Sequence, residues 1–250
     1  MKKIKVLIAG ESWVAVLTHI KGIDYMTSSS YEEAVEWLRK ALEKSNMEVD
    51  YLPCHLAVTK FPMKMEELKQ YDTIILSDIG ANSLLLHPDS YVYSKTTPNR
   101  LELLHDYVQD GGGFMMIGGY LTFSGLNAKG FYKGTAVEKC LPVSLLPVDD
   151  RIEIPQGFSP AVKNPTHPIM HKIDGAWPIL LGYNKTELKP SATLLLEYNG
   201  DPIAAVWEYK RGRTGVFTSD CAPHWGPPEF LNWPHYVTFF SQMVRWLSRE

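Results

Sequence analysis

The sequence predicts an α/β fold in which a mostly parallel sheet carries helices on both faces. Two observations lead there. Through residues 1–141, short apolar runs rich in branched residues alternate with segments of helical periodicity. Those runs lack the in-out alternation of a half-exposed sheet, as expected of strands covered on both sides. The 250 residues, 45% of them hydrophobic, suffice for one domain spanning 1–250 that buries roughly 70–75% of its unfolded surface without staples.

Taken in order, Lys5 to Ala9 is a buried strand ending at Gly10. After a loop, Ser30-Tyr31-Glu32-Glu33 has the spacing of a capping box, and Tyr31, Ala34, Val35, Leu38, Ala41 and Leu42 fall on one helical face. Glu48 to Pro53 is a second strand, Met65 to Tyr71 a short helix, and Thr73 to Leu76 a third strand. Asn99 caps a helix that carries Leu101, Leu104 and Val108 and stops at Gly111. Phe114 to Ile117 is the fourth strand, followed by Gly118-Gly119. Four prolines lie in 1–141 and thirteen in 142–250, so an irregular insertion is expected around 126–190. Thr193 to Tyr198, Ala204 to Tyr209 and Gly215 to Ser219 follow as strands. A closing helix is marked by the stripe Tyr236, Val237, Phe240, Met243, Val244 and Leu247.

Composition excludes several classes. A net charge of −3 with no basic run longer than two argues against nucleic acid. The apolar stretch Val6 to Ala9 is too short for a secretion signal, and no run approaches a membrane span. The cysteines at 54, 140 and 221 are odd in number and widely spaced, against a disulfide framework or a cysteine zinc site. The expected protein is soluble and cytoplasmic, without membrane contact. No Walker or dinucleotide fingerprint is present, so no cofactor is expected. No metal is expected either: Pro168 breaks the helix that His167 and His171 need to share a face. Asp149-Asp150 beside Arg151 reads as a solvated turn.

In an open parallel sheet, ligands bind beyond the carboxyl ends of the strands. That rule selects Glu11 and Ser12 after the first strand and His55 after the second. It selects Asp78 and Asn82 after the third, Tyr120 and Ser124 after the fourth, and Asp220, Cys221, His224 and Trp225 after the last. Cys221 and His224, three apart in a proline-containing loop, could converge as nucleophile and base, or Cys221 could simply fill an apolar gap. Gly118 and Gly119 could allow close backbone approach, present an oxyanion-type pair of amides, or form a turn only. The late tryptophans suit core packing and subunit contacts, and Trp225 could also face a ligand.

Three runs carry a family resemblance: Ser77-Asp78-Ile79-Gly80-Ala81-Asn82 with Leu84 to Pro88, Gly111-Gly112-Gly113 through Gly118-Gly119-Tyr120-Leu121-Thr122-Phe123-Ser124-Gly125, and Ser219-Asp220-Cys221-Ala222-Pro223-His224-Trp225. With them the chain resembles, over most of its length, the glutamine amidotransferase-like proteins of the class I amidotransferase-like superfamily. Its closing stretch, Gly215 to Leu247, also resembles trehalose-utilisation-type relatives. The resemblance implies a flavodoxin-like fold. Working members of the superfamily carry G-x-C-x-G at the strand-to-helix elbow. Setting Gly118 on its first glycine puts Tyr120 at the nucleophile and Thr122 at the last glycine. A phenol with a pKa near 10 is a poor replacement for that cysteine. The family's His-x-Glu pair is also unmatched, since Glu229 lies five residues beyond His224.

Two expectations follow. The first is an enzyme on a small polar metabolite, lacking glutaminase activity, with His224, Asp220, Cys221 and Tyr120 as catalytic candidates. Glu11, Ser12, Asp78, Asn82, Gly118, Gly119, Ser124 and Trp225 are then the substrate-binding candidates. The second is a non-catalytic binding or assembly domain. A homo-oligomer is expected in either case.

Overall fold

A computed structural model describes residues 3–250. Met1 and Lys2, the head of the stretch weighed above as a secretion signal, lie outside the described residues. Strand β1 (Lys5–Gly10) leads into a hairpin of β2 (Ser12–Lys21) and β3 (Asp24–Glu33). Helix α1 (Glu36–Lys44), β4 (Glu48–Leu52), α2 (Cys54–Lys60), α3 (Met65–Leu68), β5 (Thr73–Ser77), α4 (Ala81–Leu85) and α5 (Pro88–Tyr91) follow. Next come α6 (Arg100–Gln109) and β6 (Gly113–Ile117). The proline-rich stretch holds α7 (Ala136–Cys140), β7 (Val143–Leu145), β8 (Arg151–Phe158), β9 (Ala161–Val162), β10 (Leu180–Asn184) and β11 (Thr186–Leu188). The chain closes with β12 (Thr193–Tyr198), β13 (Asp201–Tyr209), β14 (Gly212–Phe217), α8 (Pro228–Leu231) and α9 (Tyr236–Leu247).

The main sheet runs in the order β4-β1-β5-β6-β14-β13-β12-β9. Its first five strands pair in parallel, and β13, β12 and β9 extend it antiparallel. This is the predicted α/β architecture, flavodoxin-like in its first strands. The strand period of two sorts each side chain to one of two cores. Val6, Ile8, Ile75, Met115 and Ile117 face one side, where α1 and α9 supply Leu38, Leu42, Phe240 and Leu247. Leu7, Ile74, Leu76, Phe114 and Met116 face the other, against Ala57, Leu84, Leu104 and Val137 of α2, α4, α6 and α7. Arg100, fully buried, donates to the carbonyls of Ala57, Ser83 and Leu84 and so ties α2 and α4 together.

Two readings need correction. Residues 12–33 are a long hairpin rather than a loop running into a helix. Ser30 accordingly caps nothing: its hydroxyl donates to Glu32 within the strand. The helix begins at Glu36, with Val35 at its cap, and still buries Leu38, Ala41 and Leu42 as expected. The capping-box spacing misled because Ser, Tyr and Glu also suit an exposed strand, where no core imposes a period. Helices α2, α4 and α5 were also absent from the sequence reading, being too short to show helical periodicity.

The Asn99 cap is as read, its side-chain oxygen accepting the amides of Leu101 and Glu102 at 3.0 and 3.3 Å. Asn99→Ala is expected to lower the unfolding free energy by about 1 kcal/mol. Urea denaturation of the two proteins side by side checks this.

Candidate active site at the strand ends

After β1 the chain leaves toward β4 on one side, whereas after β5 it moves toward β6 on the other. The crevice between β1 and β5 is therefore the topological switch point where such sheets bind ligands. Gly10 makes the junction possible. Its φ is +123°, and a Cβ there would lie 1.6 Å from the Ser77 carbonyl oxygen. The next residue, Glu11, donates its amide to that carbonyl at 2.9 Å.

A cavity of about 550 Å³ opens at this end of the sheet. It brings together Glu11, Asp78, Tyr120, Asp220 and His224, which come from four different strand ends. Trp13, Leu121, Leu126, Lys129 and Pro223 complete the wall, and none of these five was singled out in the sequence. Glu11, Asp78 and His224 hold φ of +46°, +41° and +137°. Left-handed backbone at non-glycine residues is unfavourable and concentrates at functional sites. Here it marks three of the five residues that the strand-end rule picked out.

The electrostatics are dominated by three crowded carboxyls. Burial, then Asp220 and Asp78, pushes Glu11 well above the usual carboxylate range, against the Ser77 hydroxyl donating to it at 2.5 Å. Burial, then Asp78, does the same to Asp220, although the Ala222 amide donates to it at 2.9 Å. Asp78 is raised by burial and held back by the Leu121 amide, which donates at 2.7 Å. Each of the three therefore gives up its proton less readily than a free carboxyl. His224 Nδ1 lies 3.4 Å from Asp220 Oδ2. A charged pair at that distance would raise the imidazole. Burial lowers it instead, outweighing Glu153 and Asp78.

The His224 ring stacks on Trp225 with centroids 4.7 Å apart and meets the Tyr120 ring edge-on at 4.2 Å. Tyr120 donates to Glu153 Oε1 at 3.2 Å and the Trp225 indole to Oε2 at 3.0 Å, so Glu153 fixes both rings. The Arg151 guanidinium covers Tyr120 at 4.9 Å. Burial, then Glu153, raises the phenol further.

The remaining candidates lie away from the cavity. Cys221 is fully buried, its sulfur 3.6 Å from the Ser77 hydroxyl and 4.0 Å from Glu11, so it converges with these groups rather than with His224. Burial, then Glu11 and Asp220, pushes its thiol well up. Glu11, Asp220 and Cys221 form a compact group of metal-ligating type, with ligand atoms within 4.8 Å of one another. Ser12 accepts the Cys54 amide at 2.8 Å, Asn82 is exposed on α4, and Ser124 binds the Leu146 carbonyl. His55 is exposed on α2, beside the Tyr31 ring.

The Gly118-Gly119 amides are not an oxyanion pair. Gly118 donates to the carbonyls of Phe217 and Ser219, and Gly119 to Asn184 Oδ1 at 3.0 Å. Close approach is their role: a Cβ on Gly119 would lie 2.6 Å from Asp78 Oδ1. Asp150 is not solvated either. It is buried and accepts from the Ser124 and Gly125 amides and from Asn184, each at 2.8 Å, because Asn184 from β10 bridges it to Gly119. Only Asp149 fits the solvated reading, paired with Arg151 at 2.9 Å.

A switch-point cavity on this sheet order is that of a flavodoxin-like α/β protein. Residues 5–249 match the family described as "Putative glutamine amidotransferase", and the chain belongs to that family. Among solved structures it is similar to Cytoplasmic Protein STM3548 from Salmonella typhimurium, at 41% identity and TM-score 0.95 over 98% of this chain and 99% of the other. It is similar to Cytoplasmic Protein STM1381 from Salmonella typhimurium LT2 at 44% identity and TM-score 0.94, with the same coverage. A "Putative thua-like protein" from Parabacteroides merdae shares the fold at 10% identity and TM-score 0.61, over 99% of this chain and 90% of the other. None of the curated proteins compared matches the chain.

The carboxyl cluster sets a sign for pH dependence. Glu11 keeps a proton when folded that the unfolded chain releases near pH 4.3. The stability this contributes is full below that value and is lost as pH rises through the folded pKa, at up to about 1.4 kcal/mol per pH unit. Glu11→Gln is therefore expected to melt higher than the wild type at pH 8, with the gap closing toward pH 4. Thermal melts across that range measure it.

Proposed function

We propose that this protein is an enzyme acting on a small polar metabolite, and that it has no glutaminase activity. The observation that carries the reading is the meeting, in the wall of a 550 Å³ cavity, of an imidazole that burial shifts down with carboxyls that burial shifts up. In this reading His224 takes a proton from the substrate, as a ring kept neutral by burial can do near pH 7. Asp220, 3.4 Å from Nδ1, orients the ring. Glu11, held protonated, donates a hydrogen bond to a substrate oxygen, and Asp78, the least perturbed of the three, keeps its charge. Hydrolysis and isomerisation both use such a base and acid. Trp13, Leu121 and Pro223 supply apolar wall to the cavity.

The absence of glutaminase chemistry rests on the nucleophile. Tyr120, at the elbow position, is tied to Glu153 and pushed further from ionisation. No helix opens at it; the next element is a 3-10 turn over Leu126–Ala128. No cysteine lines the cavity among the described residues, and Cys221 is held as a neutral thiol. Among the described residues no helix is long and apolar enough to cross a membrane. Two relatives above 40% identity are named as cytoplasmic proteins, which supports the same compartment here.

The test screens purified protein against a panel of small hydroxy, amino and keto acids and amides for hydrolysis and isomerisation, with ammonia release from glutamine as one arm. A turnover that falls at least a hundredfold in His224→Gln and survives in Cys221→Ala is expected, with no ammonia above background. Ammonia release abolished by Cys221→Ala overturns the reading. So does a turnover indifferent to His224→Gln.

A further inference from the structure

The β2–β3 hairpin leaves the body of the protein as an arm. Its root is fixed: Ser12 accepts the Cys54 amide, Ala34 donates to the Glu11 carbonyl, and the Tyr31 ring meets His55 at 5.1 Å. Beyond the root, ten-residue strands extend into solvent, paired only with each other. A two-stranded hairpin is marginal in water by itself. This one nevertheless carries nine of the twenty-one large hydrophobic side chains that the described residues expose, which concentrates them into a patch beyond what a monomer ordinarily shows.

The register divides the arm into two unlike faces. One carries the pairs Val14–Tyr31, Val16–Ser29, Thr18–Thr27 and Ile20–Tyr25, uncharged along the arm, and below them Ser12–Glu33 at the root, where Glu33 accepts from the Tyr31 hydroxyl. The other carries Trp13–Glu32, His19–Met26 and Lys21–Asp24, with its charges at the two ends. On the uncharged face Val14, Val16, Ile20, Tyr25 and Tyr31 are 45–76% exposed.

We propose that a second copy of this chain covers this face, the two arms packing uncharged face to uncharged face about a twofold axis. Three features favour a second copy over another partner. The face has no cations for a nucleic acid or an anionic membrane and no charge pattern to select a different protein. Two such faces meet over the Val14–Tyr25 stretch without desolvating a charge, since Glu33 lies at the root outside that stretch, whereas an unpaired buried charge would be costly. The face also offers apolar surface to bury: five large side chains stand 45–76% exposed on it, where a specific interface covers roughly 800 Å² per partner. An antiparallel, isologous arrangement sets the mid-arm pair Thr18–Thr27 against its own counterpart.

Sedimentation velocity of the purified chain at tens of micromolar tests the proposal. A particle of at least two chains is expected. The double variant Val16→Glu with Ile20→Glu is expected to sediment as a monomer with an unchanged circular dichroism spectrum, since both side chains are exposed in the single chain. Thr18→Cys, oxidised with diamide, is expected to run as a disulfide-linked dimer on a denaturing gel, while the wild type, its cysteines buried or half-buried, does not. A monomeric wild type overturns the proposal. An oligomer whose mass survives the double substitution, or a Thr18→Cys variant that never cross-links, overturns it as well.

Discussion

Gly10 approaches Ser77 so closely that no side chain fits between them, and the functional end of the molecule follows from that approach. Once β1 ends against β5, Glu11 can satisfy its amide only on the Ser77 carbonyl, in left-handed backbone. Its carboxyl is then driven under Ser77 and Cys221 rather than out to water, and the chain leaves as the β2–β3 arm. Cavity wall, buried acid and projecting hairpin are thus consequences of one backbone contact. Gly119 repeats the device on the next strand but one, where the missing side chain lets Asp78 close against the backbone.

Burying three acids at one point is unfavourable unless protons stay with them, since unpaired carboxylates in a low-dielectric interior repel and lack water. The protein supplies three partial remedies: the Ser77 hydroxyl to Glu11, the Leu121 amide to Asp78 and the Ala222 amide to Asp220. No lysine or arginine is paired with any of the three among the described residues, although Lys129 lines the same cavity. The stability lost to such crowding is retained in a fold when the group that results has a use, and a carboxylic acid able to donate near neutral pH is such a group.

Much of this was legible in the sequence, and the exceptions have a common cause. The strands that build the sheet are buried on both sides, so Val6 to Ala9, Thr73 to Leu76 and Phe114 to Ile117 announce themselves as apolar runs. The stripe from Tyr236 to Leu247 likewise gives α9 to the residue. The strand-end rule then reached Glu11, Asp78, Tyr120, Asp220 and His224 without coordinates. What stayed hidden depended on no core. The hairpin is exposed on both faces, so nothing forces a period on Ser28-Ser29-Ser30, and the Ser30 to Glu33 spacing passed for a cap. Trp13 and Lys129 were missed for the same reason, because their places in the wall come from loops and the arm. Asp150 shows the converse error: beside Arg151 it looks solvated, and only the fold brings Asn184 and two amides to it.

That last network explains how a proline-rich insertion can serve a site built by a parallel sheet. Asn184, at the end of β10, donates to Asp150 and to the Gly119 carbonyl while accepting the Gly119 amide. Its neighbour Gly182 lies against the Trp225 indole, where any Cβ would come within 2.3 Å of the ring nitrogen. Trp225 in turn stacks on His224, and Glu153 of β8 holds the indole and Tyr120 together. The insertion therefore positions the imidazole from behind and the Gly119 turn from the side. The ends of β1, β5 and β14 supply the acids, and the pieces added around 150–184 decide where the imidazole stands relative to them. The bonds among Asn184, Asp150 and Gly119 are buried and satisfied, which makes that part rigid, while Glu153 ties the two rings from the surface. Rigidity at that point holds an imidazole 3.4 Å from its carboxyl in a strained backbone, instead of letting it relax toward solvent.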